Sequence, residues 1–100
     1  MSTAIQYYSA AAGANIVVCA KPAKLIGIFV GKDVASSVIE ISDHASDGDG
    51  NVQFYWEGST LMTQLKGGVM FGPNGVDFQK GITLDLTNQT FVTVLYAPIG

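Results

Sequence analysis

The chain has 100 residues, of which 48% are hydrophobic and only 13% charged, whereas soluble domains carry roughly 25% charged residues, so we expect one domain with an ion-poor surface. The net charge is −3, the five basic residues are scattered lysines, and arginine is absent, which argues against DNA or RNA binding because no cluster of cations can neutralise phosphates. The N-terminal segment lacks a basic start, and Gln6, Gly13 and Asn15 interrupt its apolar run, so we expect neither a signal peptide nor a membrane span.

Short strands dominate the predicted secondary structure. β-branched and aromatic residues recur between closely spaced glycines, and no segment has a clear helical pattern. Turn signals such as GPNG and TNQ separate the strands, which is typical of sandwiches and jelly rolls. We therefore predict an all-β fold, a single-domain β-sandwich or jelly roll of about eight short antiparallel strands. In chain order, the predicted strands span residues 4–8, 15–20, 24–30, 37–42, 52–57, 64–71 in one or two pieces, 76–79, 82–86 and 91–97.

Three of these strands differ in their expected burial. In ITLDLT, Ile82, Leu84 and Leu86 face one way while polar residues face the other, so this strand is expected to be half-buried. FVTVLYA is apolar on both faces, which is typical of a strand inside a sandwich or beneath a subunit contact. LIGIFV has the same two-sided character, and its Gly27 allows a bend or a bulge.

The stretch DHASDGDGN holds three of the eight acidic residues and the only histidine of the chain. One interpretation is a calcium loop, in which Asp47, Asp49 and Asn51 have the spacing of the first three ligands. The rest of such a loop is missing, because Val52 stands where a glycine is needed and Gly58 where the bidentate glutamate belongs.

The same stretch is also interpretable as a simple turn. Aspartate and asparagine side chains bind nearby backbone groups, and Gly48 and Gly50 would supply positive φ angles. We predict this hairpin turn between VIEIS and VQFYW, and we predict no metal ligand.

Catalytic and cofactor signatures are missing from the sequence. His44 adjoins Asp43, but neighbouring residues on a strand point to opposite faces, which argues against a base with its orienting carboxylate. No serine lies in a nucleophile-elbow motif, and no glycine-rich stretch has the lysine and hydroxyl residue of a phosphate loop. The lone Cys19 is expected to be a small buried hydrophobic residue in a protein made in a reducing cytoplasm. We therefore predict no enzyme activity, no catalytic residue and no cofactor.

The aromatic run FYW offers an alternative role. On a strand, Phe54 and Trp56 share one face and Tyr55 lies on the other. One of these faces is expected to be core, and an exposed ring on the other could stack on a sugar. A carbohydrate-recognition module, or a binding module of a fibre or neck, is therefore the alternative to a purely structural protein.

Two long segments resemble small structural proteins of tailed bacteriophages: KLIGIFVGKDVASSVIEISDHASDGDGNVQFYWEG and GGVMFGPNGVDFQKGITLDLTNQTFVTVLYAP. The shared elements are an apolar strand with a glycine, a second strand ending in an acid-rich turn, the phrase FQKGITLDL and a closing strand with tyrosine. In that phrase, Phe78, Gly81 and Ile82 introduce the penultimate strand. The resemblance covers roughly residues 23–98, so we expect a β-sandwich domain over 23–100 and an N-terminal arm or extra strand over 1–22.

The resemblance implies a capsid decoration (cement) protein, or else a component of the neck, tail or fibre base, located in the virion after synthesis in the host cytoplasm. Decoration proteins commonly form trimers at local threefold axes, so a homotrimer bound to the major capsid protein or another virion protein is expected. Composition independently favours self-association, because a charge-poor β domain with two-sided apolar strands exposes more apolar surface than it can bury alone.

Overall fold

The computed structural model describes residues 5–32, 37–57, 68–72 and 74–99. These residues form strands and turns without any helix, and so include no helix long and apolar enough to cross a membrane. The strands are β1 (Gln6–Cys19), β2 (Ala23–Lys32), β3 (Val38–Asp43), β4 (Val52–Glu57), β5 (Val69–Met70), β6 (Val76–Phe78) and β7 (Ile82–Pro98). The predicted all-β, single-domain, antiparallel fold is confirmed.

The long strand β7 organises the sheet. Its first part, residues 82–87, pairs with β3, and its second part, residues 91–98, pairs with β2. On its other side β7 pairs with β1 from Gln6↔Tyr96 to Cys19↔Ile82. β4 extends the sheet beyond β3, while β5 and β6 extend it beyond β2. The seven strands therefore form one curled antiparallel sheet.

The turn predicted at TNQ was wrong, because β7 continues through residues 87–89. Likewise, the two predicted strands at 4–8 and 15–20 are parts of the single strand β1. Asn88 has φ 59° and Asn15 has φ 54°, and the β1–β7 register shifts between Ala11 and Ile16. Asparagine tolerates this left-handed conformation better than most residues, so both long strands bend there without ending.

The core lies inside this curl. One buried cluster contains residues from both parts of β7, from β2 and from β3. Phe78 of β6 completes it. Burying each such side chain contributes about 1.5–3 kcal/mol, so this cluster is the main stabilising feature of the domain. The fully buried large hydrophobic side chains are Leu25, Ile28, Ile39, Ile41, Phe78, Ile82, Leu84, Val92 and Val94.

A bulge lies directly beside Gly27, where the sequence allowed a bend or a bulge. The β2–β7 register shifts between Leu25 and Gly27, and Gly27 lies opposite Met70 of β5. A Cβ atom on Gly27 would lie 2.6 Å from the Met70 Sδ and 2.9 Å from the Val69 carbonyl oxygen. The missing side chain therefore lets the short strand β5 approach β2.

We expect Gly27→Ala to lower the free energy of unfolding by about 1 kcal/mol, because β5 must move away while the Met70 side chain swings aside. Urea unfolding of the two proteins would measure the difference. Gly13→Ala is a suitable comparison, because Gly13 also lies in a strand without a positive φ, and the nearest atom to its Cβ would be 3.6 Å away, an ordinary contact distance. A Gly27→Ala protein as stable as the parent would show that β5 does not need this close approach.

Candidate functional site

The turn after β3 is the hairpin turn that the sequence predicted, since β3 and β4 pair antiparallel on either side of it. Asp43 anchors it: its backbone N–H donates to the Asn51 carbonyl oxygen at 2.9 Å. Its buried carboxylate accepts hydrogen bonds from the backbone N–H groups of Gln79 at 3.0 Å and Lys80 at 2.8 Å. Asp43 thus joins the turn to the segment between β6 and β7.

The His44 ring also serves the turn. Its Nδ1 accepts hydrogen bonds from the backbone N–H groups of Ser46 at 3.1 Å and Asp47 at 2.9 Å. Its carbonyl oxygen accepts a 2.7 Å bond from the Thr83 hydroxyl of β7. The histidine and the Asp43 carboxylate therefore bind different backbone groups, as their alternation on the strand predicted.

Gly48 and Gly50 are required for space, and the prediction that they supply positive φ was wrong. Neither is among the described glycines with positive φ. A Cβ on Gly48 would overlap the Asp85 carboxylate, and one on Gly50 would overlap the His44 ring. The turn folds back over β7, with the Ser42 hydroxyl donating to the Gly48 carbonyl oxygen, and only glycine leaves room for that contact.

Folding the turn back gathers three carboxylates that are far apart in sequence. Glu40 of β3 lies directly opposite Asp85 of β7, and Asp49 comes from the turn. One carboxylate oxygen from each of the three lies within 4.8 Å of the other two. Asn15 links the parts, because its backbone N–H donates to Asp85 at 2.7 Å and its side-chain oxygen accepts from the Gly48 N–H at 2.9 Å. We call Glu40, Asp49 and Asp85 the acidic cluster.

The acidic cluster changes the titration of Glu40. A hydrogen bond with Asp49, partial burial and the negative charges of Asp49 and Asp85 raise the pKa of Glu40 from 4.5 to about 7. Its Oε2 atom is buried and has no hydrogen-bond partner among the described residues. The ion pair found in the described part of the chain joins Lys24 and Asp77, which lie outside the acidic cluster. No described lysine side chain therefore forms an ion pair with the three carboxylates. A carboxyl in such surroundings retains a proton near neutral pH.

The acidic cluster shares only Asp49 with the ligand set of the calcium interpretation. Asp49 belongs to the acidic cluster, whereas the Asp47 carboxylate accepts the Asp49 backbone N–H at 2.9 Å within the turn. Three carboxylates could hold a hard cation, but Ca²⁺ takes 6–8 oxygen ligands, and exposed acidic groups of this kind are common without an ion. The acidic cluster carries no metal assignment.

Sequence reasoning missed Glu40 and Asp85 because it treated the acid-rich turn in isolation. Each is the one acid on the polar side of its strand, in VIEIS and in ITLDL. That shared position was the available signal, although the register that sets them opposite each other is a property of the assembled sheet.

The FYW run is arranged as predicted. Phe54 and Trp56 stack with ring centroids 5.5 Å apart and pack against the core, in contact with Phe71 and Phe78 through Phe54. Tyr55 is half exposed on the opposite face, where its hydroxyl donates to Glu57 Oε2 at 2.9 Å. Tyr55 is therefore the accessible ring of this run, and carbohydrate recognition stays a prediction.

A second surface is apolar and exposed. Tyr7, Leu95, Gly27 and Met70 lie in one row across β1, β7, β2 and β5, and so on one face of the sheet. Alternation along β2 and β7 adds Phe29 and Phe91 to that face. The side chains of Tyr7 and Met70 are 75% and 56% exposed. We call Tyr7, Phe29, Met70, Phe91 and Leu95 the outer apolar face.

Cys19 lies at the end of β1 and is free and buried, as its apolar neighbours predicted. Its thiol donates to the Lys21 carbonyl oxygen at 3.4 Å. These contacts make it part of the core rather than a reactive surface thiol.

Comparisons with protein-family models, curated proteins and solved structures found no match to this chain.

Proposed function

We propose that this protein is a non-enzymatic structural component of a tailed-phage virion, first of all a capsid decoration protein that stabilises the head through contacts between copies and with the major capsid protein. The outer apolar face is the observation that supports it. Tyr7, Phe29, Met70 and Phe91 are large hydrophobic residues, all of them exposed on one side of one sheet. A contiguous apolar surface of this kind is typical of a protein–protein contact.

The sparse charge of the chain supports the same proposal. With 13% charged residues, the domain has few ions to keep its surface hydrated and little repulsion to oppose assembly. A shell subunit gains from this, because each single contact can be weak when many symmetric copies bind together. The trimer that the resemblance implies would bury the outer apolar face around a threefold axis.

Capsids purified with and without the protein test the proposal. We expect capsids that carry it to lose their integrity at a higher temperature, and we expect particles to contain on the order of hundreds of copies, as symmetric decoration requires. Met70→Lys, which puts a charge on the outer apolar face, should bind these capsids more weakly. Val52→Lys is the matched control, because Val52 is exposed on β4 in the other part of the sheet.

Two results would contradict the decoration role. Equal thermal stability of capsids with and without the protein would remove its cementing function. About a dozen copies per particle would instead place it in a neck, baseplate or fibre, where the symmetry allows few subunits.

A further inference from the structure

β1 is an edge strand with one side unpaired in the described part of the chain. It hydrogen-bonds to β7 over its length, and no other described strand pairs with it. Its regular segment is Gln6–Ala11, where the register with β7 has no shift. The irregularities that bend the strand begin only after Ala11.

Natural proteins protect exposed edges with charges, prolines or bulges, and β1 has almost none of these devices. Residues 5–20 contain no Asp, Glu, Lys, Arg or Pro. The other described edges differ: β4 ends in Glu57, β5 has only two residues, and β6 has three, one of them Asp77. β1 is therefore the one long, uncharged edge that the described residues offer to another strand.

The unpaired edge is also held in place. The Tyr96 hydroxyl donates to the Gln6 side-chain oxygen at 3.0 Å, and the Ser9 and Thr93 hydroxyls are hydrogen-bonded at 2.9 Å. These bonds fix β1 on β7 at the start and in the middle of its regular segment. A strand that is already ordered loses less conformational entropy on pairing than a free segment does.

We infer that this edge pairs antiparallel with the same edge of a second copy, about a twofold axis through Ser9. Directly opposite residues of an antiparallel pair have their side chains on the same face, and a twofold axis perpendicular to the sheet leaves each side chain on its face. The axis must therefore lie midway between one residue and the same residue of the second copy. With Ser9 on the axis, Tyr8 lies opposite Ala10 of the second copy and Tyr7 lies opposite its Ala11. Each large ring then meets a small residue.

The sequence of the segment is what selects a second copy as the partner. Its large residues, Tyr7 and Tyr8, come before its small residues, Ala10 and Ala11, so reversing the strand brings large against small in both halves of the contact. Two identical edges usually repel each other through like charges, and here none exists. The contact would join the sheets of two copies into one continuous sheet.

This inference deepens the proposed function and rests on it, since it names the strand through which copies associate. Two copies associate through β1 as a twofold-symmetric dimer. The outer apolar face then remains available for contacts with other virion proteins or between dimers. The pair and the implied trimer use different surfaces, so their stoichiometries separate them.

Charge at Ser9 tests the pairing, with association measured by sedimentation over a concentration series. We expect the parent to be a reversible dimer, and Ser9→Lys or Ser9→Asp to weaken association about tenfold or more, because two like charges would face each other on the axis. Mixing the two variants in equal amounts should restore a mixed dimer. Gln53→Lys on β4 is the control and should dimerise as the parent does, because Gln53 is exposed but lies outside the pair.

A cross-link provides the second measurement. Residues directly opposite in an antiparallel pair have Cα atoms about 4.5–5.5 Å apart, which is within the range for a disulfide. Ser9→Cys should therefore form a covalent dimer on mild oxidation, and Gln53→Cys should not; the native Cys19 is buried and adds little background.

The outcomes separate the two ideas. A parent that associates, with Ser9→Lys and Ser9→Asp unaffected and no Ser9→Cys cross-link, would overturn the β1 pair and leave self-association standing. A parent that stays monomeric at the highest soluble concentration would overturn the pair and the self-association on which the proposed function rests.

Discussion

Asp43→Ala is expected to lower the free energy of unfolding by about 3 kcal/mol, one of the largest single effects of a side chain outside the hydrophobic core. The buried carboxylate accepts two backbone N–H groups, from Gln79 at 3.0 Å and Lys80 at 2.8 Å. Hydrogen bonds to a charged group contribute about 1.5–3 kcal/mol each, and alanine leaves both donors without their partner. Equilibrium unfolding in urea, with the slope compared between proteins, measures the loss.

Two further variants make the interpretation specific. Asp47→Ala removes an acid from the same turn, but among the described residues its carboxylate accepts only the exposed Asp49 N–H, so we expect a loss of about 1 kcal/mol or less. Asp43→Asn should lie closer to Asp43→Ala, because its NH₂ group would face one of the two donors. If Asp43→Ala were as mild as Asp47→Ala, the link between the turn and the β6–β7 segment would not be a stabilising one.

Glu40→Gln is expected to stabilise the protein by about 2 kcal/mol at pH 8, after the full effect of the pKa shift is reduced for solvent screening. The pKa of Glu40 is raised from 4.5 to about 7, first by the hydrogen bond with Asp49 and then by burial and by the charges of Asp49 and Asp85. Ionising this carboxyl is therefore harder in the folded protein than in the unfolded chain. Glutamine keeps the shape of the side chain and removes the charge.

The same shift fixes the sign of the pH dependence. Below pH 4.5 Glu40 is protonated in both states, so it makes no difference to stability. Between pH 4.5 and 7 the unfolded chain loses the proton while the folded protein keeps it, so the free energy of unfolding falls as the pH rises. Above pH 7 both states are ionised and the full penalty remains.

Unfolding curves of the parent and Glu40→Gln from pH 4 to 8 should therefore converge at low pH and separate as the pH rises. Glu57→Gln is the matched control, because Glu57 is the other described glutamate and is exposed on β4, and glutamine can still accept the Tyr55 hydroxyl. Parallel curves for the parent and Glu40→Gln across this range would show that the acidic cluster does not perturb Glu40.

Alternation and turn chemistry were sufficient to predict much of the fold. The pattern of ITLDLT predicted buried Leu84 and Leu86, and both are buried. DGDGN predicted the β3–β4 turn, and Gly27 predicted a bulge. These features depend on side chains within a few residues of each other, so a local pattern carries the information.

Other features depended on contacts between distant segments. The TNQ stretch has turn residues, but β7 runs on through it: Thr87 pairs with Val38, Asn88 takes a left-handed φ, and pairing with β1 and β2 resumes at Phe91. Gly48 and Gly50 look like residues for positive φ, yet they are needed because Asp85 and His44 occupy the space where a Cβ would lie. Such steric demands come from residues elsewhere in the chain and leave no local pattern.

The sequence by itself determined that this is a charge-poor, all-β domain with strands that are apolar on two sides, because composition and alternation are properties of the chain alone. Only the tertiary structure decided which of its polar and apolar groups meet. The β3–β7 register brings Glu40 opposite Asp85, the folded-back turn adds Asp49, and the place of β1 at the edge of the sheet leaves its uncharged side unpaired among the described strands. Register and strand order are set by the burial of the whole core, to which every strand contributes, so no single segment encodes them.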